Sequence, residues 1–192
     1  MQKGITFRQY RAMDLVFFTL LLCISEVVIT LGATRWFRGE AYTLSFSCAV
    51  MAIVMVRWGI WAVVPVAVGS FAFCLISGAA AGQYAIYIIG SMAGLAMLPF
   101  LKKWGWQKLK GNVLLAIAYG LLTALSMQMG RLLVAVVLGY SLQVCIGFIT
   151  TDILSTLFAA LLVWIARNLD GMLEEQRHYL KRVQEEKEKQ RA

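Results

Sequence analysis

Three ionisable side chains, Glu26, Arg131 and Asp152, stand inside long runs of apolar residues. A charge at the centre of a bilayer costs at least about 2.5–3.5 kcal/mol on insertion scales, so residues of this kind face a bundle interior or a watery cavity and find partners there. Two chemistries fit the set. One is an ion pair that ties helices together. The other is a polar pocket. Two carboxylates against one arginine leave one negative charge when all three are ionised. A bound cationic or zwitterionic heterocycle would complete that balance, with Trp36, Tyr84 or Tyr140 stacking on it through cation–π contacts worth about 0.5–2 kcal/mol. The alternative is that one carboxyl is neutral and the remaining charges simply pair.

Further polar and aromatic residues gather near the same segment ends. The connection from Gly32 to Tyr42 carries Arg35, Trp36, Arg38 and Tyr42, a mixture unusual for a plain link. The connection from Ser77 to Tyr84 is charge-free and small, and brings Gln83 and Tyr84, with Tyr87 one turn on. Gln128, Tyr140, Gln143, Thr150 and Thr151 complete the group. An interfacial aromatic belt accounts for several of the Trp and Tyr residues without any function. It does not account for Gln128 and Gln143, whose amides need hydrogen-bond partners in hydrocarbon. The candidate substrate-binding residues are therefore Glu26, Arg35, Trp36, Arg38, Tyr42, Gln83, Tyr84, Tyr87, Gln128, Arg131, Tyr140, Gln143 and Asp152.

Catalysis has little to work with. The one histidine, His178, lies in the tail, and neither a Gly-rich phosphate loop nor a G-x-S-x-G nucleophile elbow is present. Cys23, Cys48, Cys74 and Cys145 all sit in apolar segments without C-x-x-C spacing, which reads as buried small hydrophobes rather than a metal or redox site. No enzyme activity, metal or cofactor is expected.

The elements that position these residues follow from composition. Of 192 residues, 60% are hydrophobic and 15% charged, with a mean hydropathy of +0.74, against about 45–50% and 25% in a soluble domain. The charge is crowded into the C-terminal tail. This excludes an ordinary soluble fold, a disordered chain and a disulfide-built domain. At about 20 residues per crossing, charge breaks mark six apolar segments. They are Met13–Ala33, Ala41–Val56, Gly59–Ile76, Gly82–Leu101 and two spans within Asn112–Ile165, joined around Gly139-Tyr140-Ser141 with Gly130 as a competing break. With the N-terminus inside, 15 Lys and Arg fall on the inner side and 3, Arg35, Arg38 and Arg131, on the outer. The positive-inside rule then predicts an all-α polytopic membrane protein of six transmembrane helices with both termini cytoplasmic. Glu26, Arg131 and Asp152 all fall in its outer half. Residues 1–167 form the membrane domain and 168–192 a charged cytoplasmic tail, read as a surface helix continuing the sixth span rather than a dedicated docking helix. The N-terminal basic residues precede an uncleaved first span, since the apolar run is too long for a signal peptide and no cleavage site closes it. The net charge of +8 reads as a cytoplasmic face meeting anionic lipid, not a nucleic-acid surface. Gly90 and Gly94 form a G-x-x-x-G on the fourth segment, repeated in spacing by Gly78 and Gly82, and Pro65 predicts a kink in the third.

The pattern resembles the substrate-binding S-components of energy-coupling factor (ECF) transporters. The resemblance covers roughly Leu15 to Arg167. It rests on the six short spans, on Arg57-Trp58-Gly59-Ile60-Trp61-Ala62 at the second-to-third turn, and on Ser77-Gly78 leading through Tyr84 and Tyr87 into Gly90-Ser91-Met92-Ala93-Gly94. It implies a subunit in the bacterial cytoplasmic membrane that binds a vitamin or similar micronutrient in an outward pocket. Its implied partners are a coupling transmembrane subunit and two cytoplasmic ATPase subunits. Many S-components carry an alanine-x-x-x-alanine motif on the first span; here that span offers Thr19-x-x-x-Cys23. Two other classes remain open: a structural membrane protein of the cell-shape apparatus, similar to the MreD family, and a secondary carrier using Glu26 or Asp152 as a proton relay. The aromatics of the first connection favour binding over scaffolding, and the absence of recognisable halves disfavours a carrier.

Overall fold

The structure is a computed structural model that describes residues 6–36 and 44–189. Among them every regular element is helical: α1 (Phe7–Trp36), α2 (Ser47–Trp58), α3 (Val63–Ile76), α4 (Ala81–Ser91), α5 (Leu98–Gly111), α6 (Val113–Val137), α7 (Leu142–Thr150), α8 (Ile153–Asn168) and α9 (Gln176–Lys189). Tight 3-10 turns at Gly59–Ala62 and Met92–Met97 link α2 to α3 and α4 to α5. Five stretches are long and apolar enough to cross a membrane: Phe7–Trp36, Ser47–Ile76, Ala81–Gly111, Val113–Val137 and Leu142–Asn168. Their outer faces are apolar. On α1 alone Val16, Phe17, Leu20, Leu21, Ile24, Val28 and Leu31 are exposed. Soluble monomers rarely show apolar patches beyond a few hundred Å², whereas lipid solvates such a face without cost.

The stretch Ser47–Ile76 is not one straight rod. Ser47 and Ser70 line the same small cavity, although a straight helix would hold them about 35 Å apart at 1.5 Å per residue. The chain reverses at Gly59, whose φ of 62° and ψ of −125° lie where a side chain is strained and glycine is not. Asp14 near the start of α1 meets Arg57 at the end of α2, while Glu26 further along α1 meets Ser45 and Ser47 at the start of α2. Alternate runs therefore pass between two ends of one bundle. The end holding Arg57, Lys110 and Arg167 is called the basic end below, and the other the far end.

The central helix is α2, every residue of which is buried. It packs on α1, α3, α6 and α8. A helix apolar on all sides belongs in a core, and Ser47-Cys48-Ala49-Val50-Met51-Ala52-Ile53-Val54-Met55-Val56 reads that way. Around it, small residues set the closest approaches. A Cβ placed on Gly90 of α4 would lie 2.6 Å from the Cα of Arg131 on α6, and one on Gly120 of α6 would lie 3.0 Å from the Cα of Ala160 on α8. In lipid, helices associate by such backbone-close packing, because no hydrophobic gain separates protein from solvent.

Three local expectations are corrected. Gly130 does not break the chain; it lies within α6, facing Gly90 and Ala93, and the turn falls at Gly139, whose φ is 81°. Pro65 does not kink the third segment: it occupies the first turn of α3, where its missing N–H has no intrahelical partner to lose. The tail does not continue the sixth span. After Asn168 the chain turns through Gly171 (φ 69°) and folds under the basic end, burying Leu173, Glu174 and Gln176. Tyr10 donates its hydroxyl to the Gln176 amide oxygen at 3.3 Å, the Arg57 guanidinium donates to the Gly171 carbonyl, and Trp106 lies 6.1 Å from His178, ring to ring. The turn at Gly171 buries Leu173 while the charged stretch that follows stays largely exposed, so docking and solvation do not compete.

Candidate functional site

The far end holds a continuous buried polar network. Its anchor is the ion pair between Arg131 Nη1 on α6 and Asp152 Oδ2 at the start of α8, 2.7 Å long, with both residues at most 5% exposed. Asp152 stands at the N-terminus of α8, where the helix dipole favours negative charge. Arg131 Nε donates to Ser91 Oγ on α4 at 3.1 Å, and the guanidinium lies 5.0 Å from the Tyr87 ring centroid. One turn back on α6, Gln128 donates from Nε2 to the Asp152 carbonyl at 3.2 Å and to Thr156 Oγ1 at 2.6 Å. Ser155 donates to Asp152 Oδ1 at 2.8 Å and accepts from the Ser45 N–H at 2.9 Å.

Ser45 joins this group to Glu26. Glu26 Oε1 accepts from Ser45 Oγ at 2.6 Å, from the Phe46 N–H at 3.2 Å and from Ser47 Oγ at 3.3 Å. The second oxygen, Oε2, is buried and has no hydrogen-bond donor among the described residues. Leu44, Ser45, Ser47, Ser70, Phe73, Tyr87, Arg131 and Asp152 enclose a cavity of about 20 Å³. That is room for about one water, against the roughly 300–1,000 Å³ of a small-molecule site. The Arg131 guanidinium reaches across the cavity to Asp152, with the Tyr87 ring against it.

The candidates named from sequence thus divide. Glu26, Tyr87, Gln128, Arg131 and Asp152 come together in the network. Among the described residues the others show no contact with it. Gln83 caps α4, its Oε1 accepting from the Ala80 N–H at 2.9 Å. Tyr84 packs on Phe71 with centroids 5.6 Å apart, and Tyr140 sets its hydroxyl beside Gly82. Arg35 and Trp36 at the end of α1, and Gln143 on α7, are exposed. Arg38 and Tyr42 lie outside the described residues. Sequence reasoning passes over the hydroxyls that knit the network, Ser45, Ser47, Ser91, Ser155 and Thr156. Ser45 lies near a segment end, and Ser155 and Thr156 within one turn of Asp152, but Ser91 is mid-segment and nothing in the sequence marks it.

A second pair, buried at Arg57 and part-buried at Asp14, holds the basic end. Asp14 accepts from Arg57 Nε at 2.9 Å, from Arg57 Nη2 at 2.8 Å, and from the Trp58 indole N–H at 2.5 Å. Asp14 sits at the edge of the first apolar segment, where a sequence reading gives it no partner.

No protein family, curated protein or solved structure matches the chain. Its function must be read from the chemistry of these residues.

Proposed function

We propose that the protein is the substrate-capturing membrane subunit of an ECF-type ATP-dependent importer, crossing the bilayer six times with both termini cytoplasmic. The observation that supports this best is the far-end network. Two carboxylates stand near one arginine, which pairs with Asp152 alone. Glu26 is held by hydroxyls and one N–H, its second oxygen has no donor among the described residues, and the cluster lies at the end of the bundle opposite most of the cationic side chains. Buried charge of this cost is retained in membranes mainly where it handles a substrate, an ion or a partner helix. The small molecule is cationic or zwitterionic, in keeping with the excess carboxylate. It enters by displacing the Arg131 side chain from the space beside Tyr87. Leu44, which lines that cavity, stands two residues after Tyr42, the end of the connection that bears Arg38. The chain has no catalytic role. Its partners are a coupling transmembrane subunit, two cytoplasmic ATPases and the lipid of the bacterial cytoplasmic membrane.

Vesicles containing only the purified chain test the reading. Candidate vitamins should bind to the protein but not accumulate, and accumulation should appear when coupling and ATPase subunits are added with ATP. Concentrative uptake by the chain alone, driven by a proton gradient, would overturn the proposal in favour of a carrier.

A further inference from the structure

At the basic end a much larger cavity, about 480 Å³, opens between α1, the turn after α2, α5 and the start of α9. It exists because the chain breaks there twice. Gly59 ends α2 and Gly105 interrupts α5 at φ 72°, and a Cβ on either would meet nothing within 4 Å. The walls are aromatic, with Phe7, Trp58, Trp61 and Trp106. The charged lining is Arg11, Arg57, Lys102 and Arg177 against a single carboxylate, Glu175. These cations are not equivalent. Arg57 is buried and fully engaged by Asp14 and the Gly171 carbonyl. Arg11 lies 4.3 Å from the Trp61 ring centroid and Arg177 lies 5.4 Å from that of Phe7. Neither they nor Lys102 meet a carboxylate among the described residues. Three such cations thus face one acid around an aromatic hollow.

Such a site is complementary to an anion that carries an apolar body. Aromatic and basic side chains together mark the level of the lipid headgroups, and basic pockets between helices at that level suit anionic headgroups. We propose that this cavity binds the phosphodiester headgroup of an anionic phospholipid, with the phosphate among Arg11, Lys102 and Arg177 and the glycerol and first methylenes against Trp58 and Trp61. A free phosphate would satisfy the cations but leave the aromatic walls wet. The proposal is independent of what the far end binds.

The test uses the full-length protein in phosphatidylcholine nanodiscs with increasing phosphatidylglycerol, followed by native mass spectrometry of the released protein. One phosphatidylglycerol per chain should be retained over phosphatidylcholine by about tenfold. The R11Q/K102Q variant should bring that preference close to parity. The K103Q/K181Q variant, which removes the same charge from the same end outside the cavity, should keep it. Equal losses in the two variants would show diffuse electrostatics and overturn the site. Displacement of the retained lipid by millimolar inorganic phosphate or glycerol phosphate would overturn the choice of lipid in favour of a soluble anion. Photo-crosslinking from position 61 in native membranes should capture lipid; capture of a protein segment instead would overturn the proposal.

Discussion

Replacing Asp152 with asparagine isolates one charge. The amide keeps the size of the side chain, and the Gln128 bond survives because it goes to the Asp152 backbone carbonyl. What is lost is the carboxylate 2.7 Å from Arg131 Nη1. Arg131 is 3% exposed and cannot turn to water. Removing one partner of a buried pair costs about 3–5 kcal/mol, most of it the stranded charge. Ser91 and the Tyr87 face remain, and cation–π contact offsets about 0.5–2 kcal/mol, so the low end, about 3 kcal/mol, is expected. For a chain of this size that lowers the melting temperature by roughly 6–12 °C, read in detergent from tryptophan fluorescence. The double variant R131M/D152L removes both charges and fills the space with carbon, and should recover most of the loss, since apolar replacement of a buried pair is often neutral or better. A D152N protein as stable as wild type, or a double variant no better than D152N, would refute the reasoning. Under the proposed function the recovered double variant folds but no longer binds small molecule.

Helix contact at the far end predicts that Gly130→Leu, whose side chain would run into the Gly90 backbone and Ala93, destabilises by at least about 1–3 kcal/mol, seen as a lower detergent melting point. By contrast, Gly147→Ala meets nothing within 4 Å and should stabilise α7 by up to about 1 kcal/mol. Topology predicts that single cysteines at Arg38 and Lys189, in a background free of native cysteine, are labelled from opposite sides of the membrane; labelling of both from one side would end the six-crossing assignment. The tail should respond to acid. Hydrogen bonds from Arg182 and from Lys110 hold the Asp170 carboxyl below the usual carboxylate range. A depressed folded value means the contribution to docking is present above the unfolded pKa, about 3.9, and is lost as pH falls through the folded one. Protection of α9 from limited proteolysis should therefore hold at neutral pH and fall off only below about pH 4. D170N should weaken it at neutral pH.

The parts of this molecule legible in sequence are those where a wrong placement is expensive. Charge in hydrocarbon is costly, so the depths of Glu26, Arg131 and Asp152 can be compared from their positions in the apolar runs, and the three do share one end of the bundle. The break at Arg57-Trp58-Gly59 is visible for the same reason, and it coincides with the reversal. Hydroxyls give no such signal. Within a helix they can bond the preceding turn, as Thr123 does to the Tyr119 carbonyl at 2.8 Å, so Ser91 or Thr156 in an apolar run costs little whichever way it faces. Asp14 escapes notice because a charge near a segment end can reach water, and only the fold brings Arg57 and Trp58 to it. Arg35, Trp36 and Gln143 are exposed, outside the buried network. Their chemistry suits a site, but composition at a connection does not say whether a side chain turns inward. In the tail, alternating charge implies a solvated helix, while the docking depends on one turn at Gly171 and on the buried Leu173, Glu174 and Gln176.

The two ends of the bundle are built on opposite plans, and the difference can be crossed experimentally. At the far end Arg131 and Asp152 are spent on each other, and the free space holds about one water. A ligand there must first break the Arg131–Asp152 pair, so its apparent affinity is lowered by the small fraction of chains already open. At the basic end three of the cations around the 480 Å³ hollow meet no carboxylate among the described residues, and an anion enters without rearrangement. The two sites share no lining residue. R131M/D152L should therefore abolish small-molecule binding and leave phosphatidylglycerol retention at the wild-type level, while R11Q/K102Q should do the reverse. If either variant moved both readouts while the protein stayed folded, the ends would be coupled through the central helix, α2, which contacts both, and neither site could be treated alone.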